Sequence, residues 1–171
     1  MASEQIIAVV SDALRGLVQA ALPDGATAVL GTPPEAEAAE GVWLHLFRIS
    51  QPPVMRTTPV IAASGKRLNR EIQLHLDYLV CGRAVDRLQA HALLGMALTE
   101  LGNRPMLEDR SVRPLLSQPV RHDALLPGSL SLQWKALDLS LLDQAAVWQA
   151  SGAAQQAGMF WRADVNWRAG Q

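Results

Sequence analysis

Ten residues of strict alternation, Ile72 to Cys81 in EIQLHLDYLVC, constrain the fold more than any other stretch of this chain. Ile72, Leu74, Leu76, Tyr78 and Val80 fall on one side of an extended backbone, and Gln73, His75, Asp77, Leu79 and Cys81 on the other. A period of two over that length specifies a β-strand with one apolar and one mixed face, hence a sheet whose apolar side needs a cover. The same stretch sets a chemical question, because a histidine, an aspartate and a tyrosine lie within four positions.

The flanking segments supply both neighbours and cover. VWLHLFRI (42–49) reads as a strand bounded by Gly41 and Gln51-Pro52-Pro53, Ala28-Val29-Leu30 as a short strand, and SLSLQWKALDL as another, with Leu130, Leu132 and Trp134 on one face. In the closing strand MFWRADVNWR, Met159, Trp161, Ala163, Val165 and Trp167 oppose Phe160, Arg162, Asp164, Asn166 and Arg168. Ile6, Val10, Ala13, Leu14, Leu17 and Ala21 recur at helical spacing and leave Glu4, Ser11, Asp12, Arg15 and Gln19 for the other, solvent side, predicting a helix over 4–22 with Ser3 as N-cap and Pro23 as stop. Asp86 opens a second helix, with Ala90, Leu94, Ala97, Leu98 and Leu101 as its buried stripe. Ser140 opens a third, short one in which Leu141, Ala145 and Trp148 share a face. This order predicts one α+β domain over 1–171: a mainly antiparallel or mixed sheet with helices packed on one face.

Two connections stand out. Residues 50–70 form a long Pro-studded link with Arg56, Lys66, Arg67 and Arg70, and no Asp or Glu occurs between Gly41 and Arg70. Residues 103–128 hold four prolines and four arginines and read as irregular. Loops of this length in a compact domain are usually functional or disordered. The basic stretch reads either as solvated loop charge or as an arm that reaches another protein; on the second reading Arg56, Lys66, Arg67 and Arg70, with Arg104, Arg110 and Arg113 of the second connection, are the candidate partner-binding residues.

Catalytic and metal readings find little support. His45, His75, His91 and His122 are scattered without metal-ligand spacing, and the single cysteine, Cys81, rules out a cysteine-rich zinc site within one chain. No nucleophile elbow, phosphate loop or dinucleotide motif occurs. His75 and Asp77 read as the polar side of a half-buried strand and Tyr78 as core; Trp43 reads as partly exposed. No cofactor and no catalytic residue is assigned. A formal net charge of −1 gives no global field to attract nucleic acid, and the N-terminus has neither signal-peptide nor membrane-span character.

Several stretches, in order, resemble one family. VWLHLFRISQPPVMRTTP with GKRLNR, LHLDYLV, LQAHALLGMALTELGNRPML, LDLSLLDQAAVWQASG and the closing strand are similar to the N-terminal domain of cap (tail-terminator) proteins of extracellular contractile injection systems. The family's Leu-Asp-Leu-His-Tyr-Leu strand has its two polar residues exchanged here, and Gln51 and Arg56-Thr57 stand where the family tends to carry asparagines. The resemblance implies a tail-terminator-like fold and a structural role without enzymatic activity. It implies a homo-hexameric ring that ends the inner tube and anchors the last sheath layer at the baseplate-distal end. The implied partners are self, sheath protein and tube protein, with no nucleic acid and no membrane insertion. Assembly would take place in the cytoplasm. The alternatives are a small metal- or small-molecule-binding module with a pocket around His45, His75 and Asp77, or a tail assembly accessory factor.

Overall fold

The computed structural model describes residues 5–33, 40–52, 71–123, 125 and 128–168. The alternating stretch is the long strand β3 (Glu71–Arg83), flanked by β2 (Gly41–Ser50) and β6 (Gly158–Arg168), both antiparallel to it. The short β1 (Thr27–Leu30) adds in parallel outside β2, while β5 (Leu130–Ala136) and β4 (Met106–Glu108) continue antiparallel beyond β6. The result is a mixed six-stranded sheet in the order β1-β2-β3-β6-β5-β4. Its α+β class is the one the alternation and helical spacings require.

The apolar face carries Val42, Leu44, Leu76, Tyr78, Val80, Leu130, Leu132, Trp134, Trp161, Ala163, Val165 and Trp167, all buried. Helices α1 (Ile6–Gln19) and α2 (Arg87–Asn103) cover it, and α1 stops short of Pro23. Ser3 lies outside the described residues. Asp86 caps α2 by accepting from the Leu88 amide at 3.2 Å. Buried Leu93, Leu94, Ala97 and Leu101 form the inner stripe, so Leu93 joins the expected set. α2 crosses β3 with almost no clearance. A Cβ on Gly82 would lie 2.2 Å from the Ala90 carbonyl oxygen, so only glycine fits there.

One-sided covering holds for α1 and α2 but not for the helix that Ser140 opens. α5 (Leu141–Ser151) lies on the opposite face, where Trp148 packs with Trp43, Leu79, Cys81 and Phe160. The cause is compositional. Leu79 and Cys81 sit on the mixed side of β3, and the C-terminal half of that strand is apolar on both faces. Trp43, expected to be partly exposed, is buried at 6% by this second cluster. The face of α5 also differs from the expected one: Trp148 is buried, whereas Leu141 and Leu142 remain 83% and 80% exposed.

The described part of the connection after α2, residues 104–123, is ordered rather than irregular. It contains β4, α3 (Asp109–Val112), a 3₁₀ turn (Arg113–Leu115) and α4 (Val120–Asp123), with Val112, Leu116 and Leu125 buried in the main core. Its turn presses on α1 so closely that a Cβ on Gly16 would lie 1.9 Å from the Leu115 carbonyl oxygen.

Candidate assembly surfaces

The three polar residues of β3 have separate fates. Tyr78 is fully buried, and its hydroxyl lies 2.8 Å from the Ser11 hydroxyl of α1; burial raises its pKa far above the usual phenol value. Asp77 faces the other way. It is 0% exposed and accepts from Arg48 Nε at 2.5 Å, Arg162 Nε at 2.6 Å and Arg162 Nη2 at 3.0 Å. Burial alone would raise its pKa, but the two guanidinium groups outweigh that and hold the carboxyl below its ordinary value. The same bonds raise the pKa of Arg162.

His75 is not bonded to Asp77. Its Nε2 lies 3.4 Å from Asp164 Oδ1, without hydrogen-bond geometry, and Asp164 is paired instead with Lys135. His45 is held toward its neutral form by burial. No group of three histidine, cysteine or carboxylate side chains is placed to hold a metal ion among the described residues. His75 and Asp77 thus form part of a charge ladder on a scaffold. Cys81 is buried, and desolvation pushes its thiol up to about 12, so it is a poor nucleophile.

Register explains the ladder. Arg48, Asp77, Arg162 and Lys135 are successive partners across β2, β3, β6 and β5, and Ser50, His75, Asp164 and Gln133 form the next rung. A bulge between Leu46 and Arg48 brings Arg48 onto this face opposite Asp77. The alternation on each strand was legible in the sequence, but the pairing was not. Individual strands do not state their neighbours.

The arginines picked out from the second connection occupy exposed positions. Arg104 pairs with Glu100 at 2.9 Å, Arg110 with Glu108 at 3.1 Å and Arg113 with Asp123 at 2.8 Å. Each cation therefore has a local carboxylate, and the ordered segment is not a free basic arm. Arg56, Lys66, Arg67 and Arg70 lie outside the described residues. What binds the segment to the body is Asp12 of α1, which sequence reading placed on the solvent side. Asp12 accepts from the Ser117 amide at 2.8 Å, from the Ser117 hydroxyl at 2.9 Å and from Arg15 Nη2 at 2.8 Å. Burial opposes its ionisation, yet these donors lower its pKa.

Side chains also close one sheet edge. The Gln19 carboxamide accepts from the Ala28 amide at 2.8 Å and donates to the Ala26 carbonyl at 3.1 Å, occupying groups that β1 would otherwise offer to an added strand. At the opposite edge, β4 offers only three residues. A shallow groove of about 360 Å³ runs between α5 and β2, lined by Phe47, Arg48, Leu139, Ala146 and Val147 among others.

These features define an α+β scaffold with a partly exposed charge ladder, a shallow groove and no assembled catalytic group among the described residues. The sequence matches the family described as the Pvc16 N-terminal domain over residues 9–165, and the chain belongs to that family. Two solved structures share the fold. One is the sheath/tube terminator of an extracellular contractile injection system, PVC, in its extended state (TM-score 0.67, 16% identity, covering 96% of this chain and 57% of that one). The other is the tube-terminating cap of the anti-feeding prophage (TM-score 0.65, 15% identity, covering 95% and 55%). The chain thus spans little more than half the length of either relative. No curated protein matches it by sequence.

Proposed function

We propose that this chain is a structural cap of a contractile injection particle, a non-enzymatic domain that ends the inner tube and anchors the last sheath layer at the baseplate-distal end. The observation that carries this reading is family membership over residues 9–165, joined to a fold shared with one terminator and one cap across nearly the whole chain. The physical chemistry agrees with a structural role. Buried ionic groups are spent on holding strands and segments together, and the exposed ones are arranged over surfaces. A terminator works as a ring of copies, which requires two different, complementary surfaces on each subunit. Residues 1–171 are read as one such domain, assembled in the cytoplasm with tube and sheath proteins, and Arg56, Lys66, Arg67 and Arg70 as contributors to those contacts.

The test is to form particles with and without this chain and to locate a labelled copy by electron microscopy. The expected result is label at one end only and, without the chain, tubes of uncontrolled length. Label along the shaft, or none on finished particles, would refute the cap reading; the latter would favour an accessory factor. The mass of the purified protein gives a second readout, with a ring of about six subunits expected.

A further inference from the structure

We infer that the outer edge of β2 beyond Leu44 is a pairing site for an extended, apolar strand of a partner protein. β1 pairs only with Gly41–Leu44, the start of β2, and ends at Leu30. β2 runs on to Ser50, and its other edge remains paired with β3 that far. Among the described residues nothing pairs with the outer edge of residues 45–50. The groups left open follow from the register. The Leu44 carbonyl accepts from the Gly31 amide at 3.1 Å, so Leu44 turns its main chain away from β3. Alternation turns Leu46 the same way. The bulge after Leu46 takes up one residue, and Ile49, opposite Leu76, is the next to face outward. Each offers one N–H and one C=O to an incoming backbone. At the adjoining edge of β1 the Gln19 carboxamide occupies the outward groups of Ala26 and Ala28. No side chain does the same for Leu46 or Ile49 among the described residues.

The open main-chain groups dictate the occupant's backbone, because an extended chain is what meets N–H and C=O groups at strand spacing. The flanks dictate its side chains. On the core side, Leu46 packs against the main cluster and Ile49 is 50% exposed. On the other side, Phe47, Leu139, Ala146 and Val147 line the groove beside α5, and β2 is the only strand that lines it. The two charged residues of that groove, Arg48 and Asp143, have opposite signs, and Arg48 is already paired with Asp77. Charge therefore selects neither an acidic nor a basic segment. A strand laid in line with β1 places one set of side chains beside Leu46 and Ile49 and the other toward Phe47 and the groove. Apolar β-branched residues suit both flanks and the extended backbone. The edge is about 17 Å long at roughly 3.3 Å per residue, enough for a partner segment of about five residues.

The pairing stands independently of the cap reading, and its test needs only the full chain and peptides. The first probe is a peptide with a Val-Ile-Val-Ile-Val core between lysine pairs. The second is the same peptide N-methylated at all five core residues, which removes its main-chain donors and keeps its side chains. The third replaces the core by Thr-Ser-Thr-Ser-Thr. Each is titrated into the full chain while amide hydrogen exchange is recorded residue by residue. The Leu46 and Ile49 amides should exchange fast in the free chain and slow at least about tenfold on saturation with the first peptide. The second and third peptides should bind about tenfold more weakly. Ile49→Lys should weaken binding of the first peptide to a similar degree, since a charged side chain on an edge opposes pairing. Ile49 is half-exposed, so that variant folds, and circular dichroism checks it. Arg110→Gln, beside the β4 edge, should leave binding unchanged. Absence of binding, equal binding of the N-methylated or Thr-Ser peptide, or indifference to Ile49→Lys would each overturn the proposal. So would slow exchange at Leu46 and Ile49 before peptide is added, or association of the chain with itself through these amides in place of peptide binding.

Discussion

Asp12 and Ser117, separated by 105 positions in the chain, are joined by an amide-to-carboxylate hydrogen bond of 2.8 Å. The bond closes the segment after α2 onto the first helix. Gly16, one turn further along α1, allows the two backbones to approach that closely. An apparently irregular, proline-rich stretch is thereby held as part of the body. Replacing Asp12 by Ala would leave the Ser117 amide and hydroxyl without an acceptor and Arg15 without its partner. The expected loss is about 2–4 kcal/mol of unfolding free energy. Urea denaturation measures that loss. Limited proteolysis should show cleavage rising first between residues 113 and 123. Unchanged protection there would mean that the clasp is not what orders the segment.

Asp12 and Asp77 both have folded-state pKa values below the ordinary carboxylate value of 3.8. The folded protein then binds fewer protons than the unfolded chain as pH drops below that value. The stability from these groups is complete above about pH 4 and is lost as pH falls toward their folded pKa values. Unfolding free energy should accordingly decline below about pH 4. Asp77→Asn leaves Arg48 and Arg162 without their anion and should cost roughly 3 kcal/mol at pH 7. Its curve should meet that of the wild type in acid, where the wild-type carboxyl is itself protonated. Parallel curves at all pH values would show that Asp77 is not the titrating support.

Cys81 should resist thiol reagents in the native protein, because it is buried and its thiolate is strongly disfavoured. Labelling should follow global unfolding, appearing in denaturant and not before it. Rapid labelling of the folded chain would indicate that the Trp43–Trp148 cluster over this thiol opens locally.

The fold was legible wherever one periodicity dominated. The strand faces of residues 72–81, 130–134 and 159–168, the caps at Asp86 and Ser140, and the cover by the first two helices all follow from local pattern. The side chosen by α5 was legible only in part. Leu79 and Cys81 marked a second apolar patch, but nothing local to residues 140–151 says which face receives them. The ladder was hidden for a different reason. Arg48, Asp77, Arg162 and Lys135 belong to four strands, and their meeting depends on a register that includes a bulge after Leu46. The arginines of residues 104–113 were visible as charge, but their carboxylate partners become apparent only when the segment folds. Asp12 looked like a solvent-side helix residue because its donor Ser117 lies more than a hundred residues away.

The face of α5 provides a direct test of which side chains hold the domain together and which are left for a partner. Trp148 fills the second cluster, so Trp148→Ala removes its largest component from α5 and should cost about 3–5 kcal/mol. Leu141 and Leu142 occupy the first turn of the same helix yet are 83% and 80% exposed. Changing both to Ser removes no buried contact and should alter stability by no more than about 0.5 kcal/mol each. Paired exposed leucines are costly to keep in water unless something covers them, so the double variant should fold normally and incorporate poorly into particles. Thermal melts separate the two effects, and incorporation is read from the labelled chain by electron microscopy. A destabilised double variant would mean that these leucines pack inward, as helical spacing first suggested for Leu141. A stable variant that incorporates fully would remove them from the assembly surface.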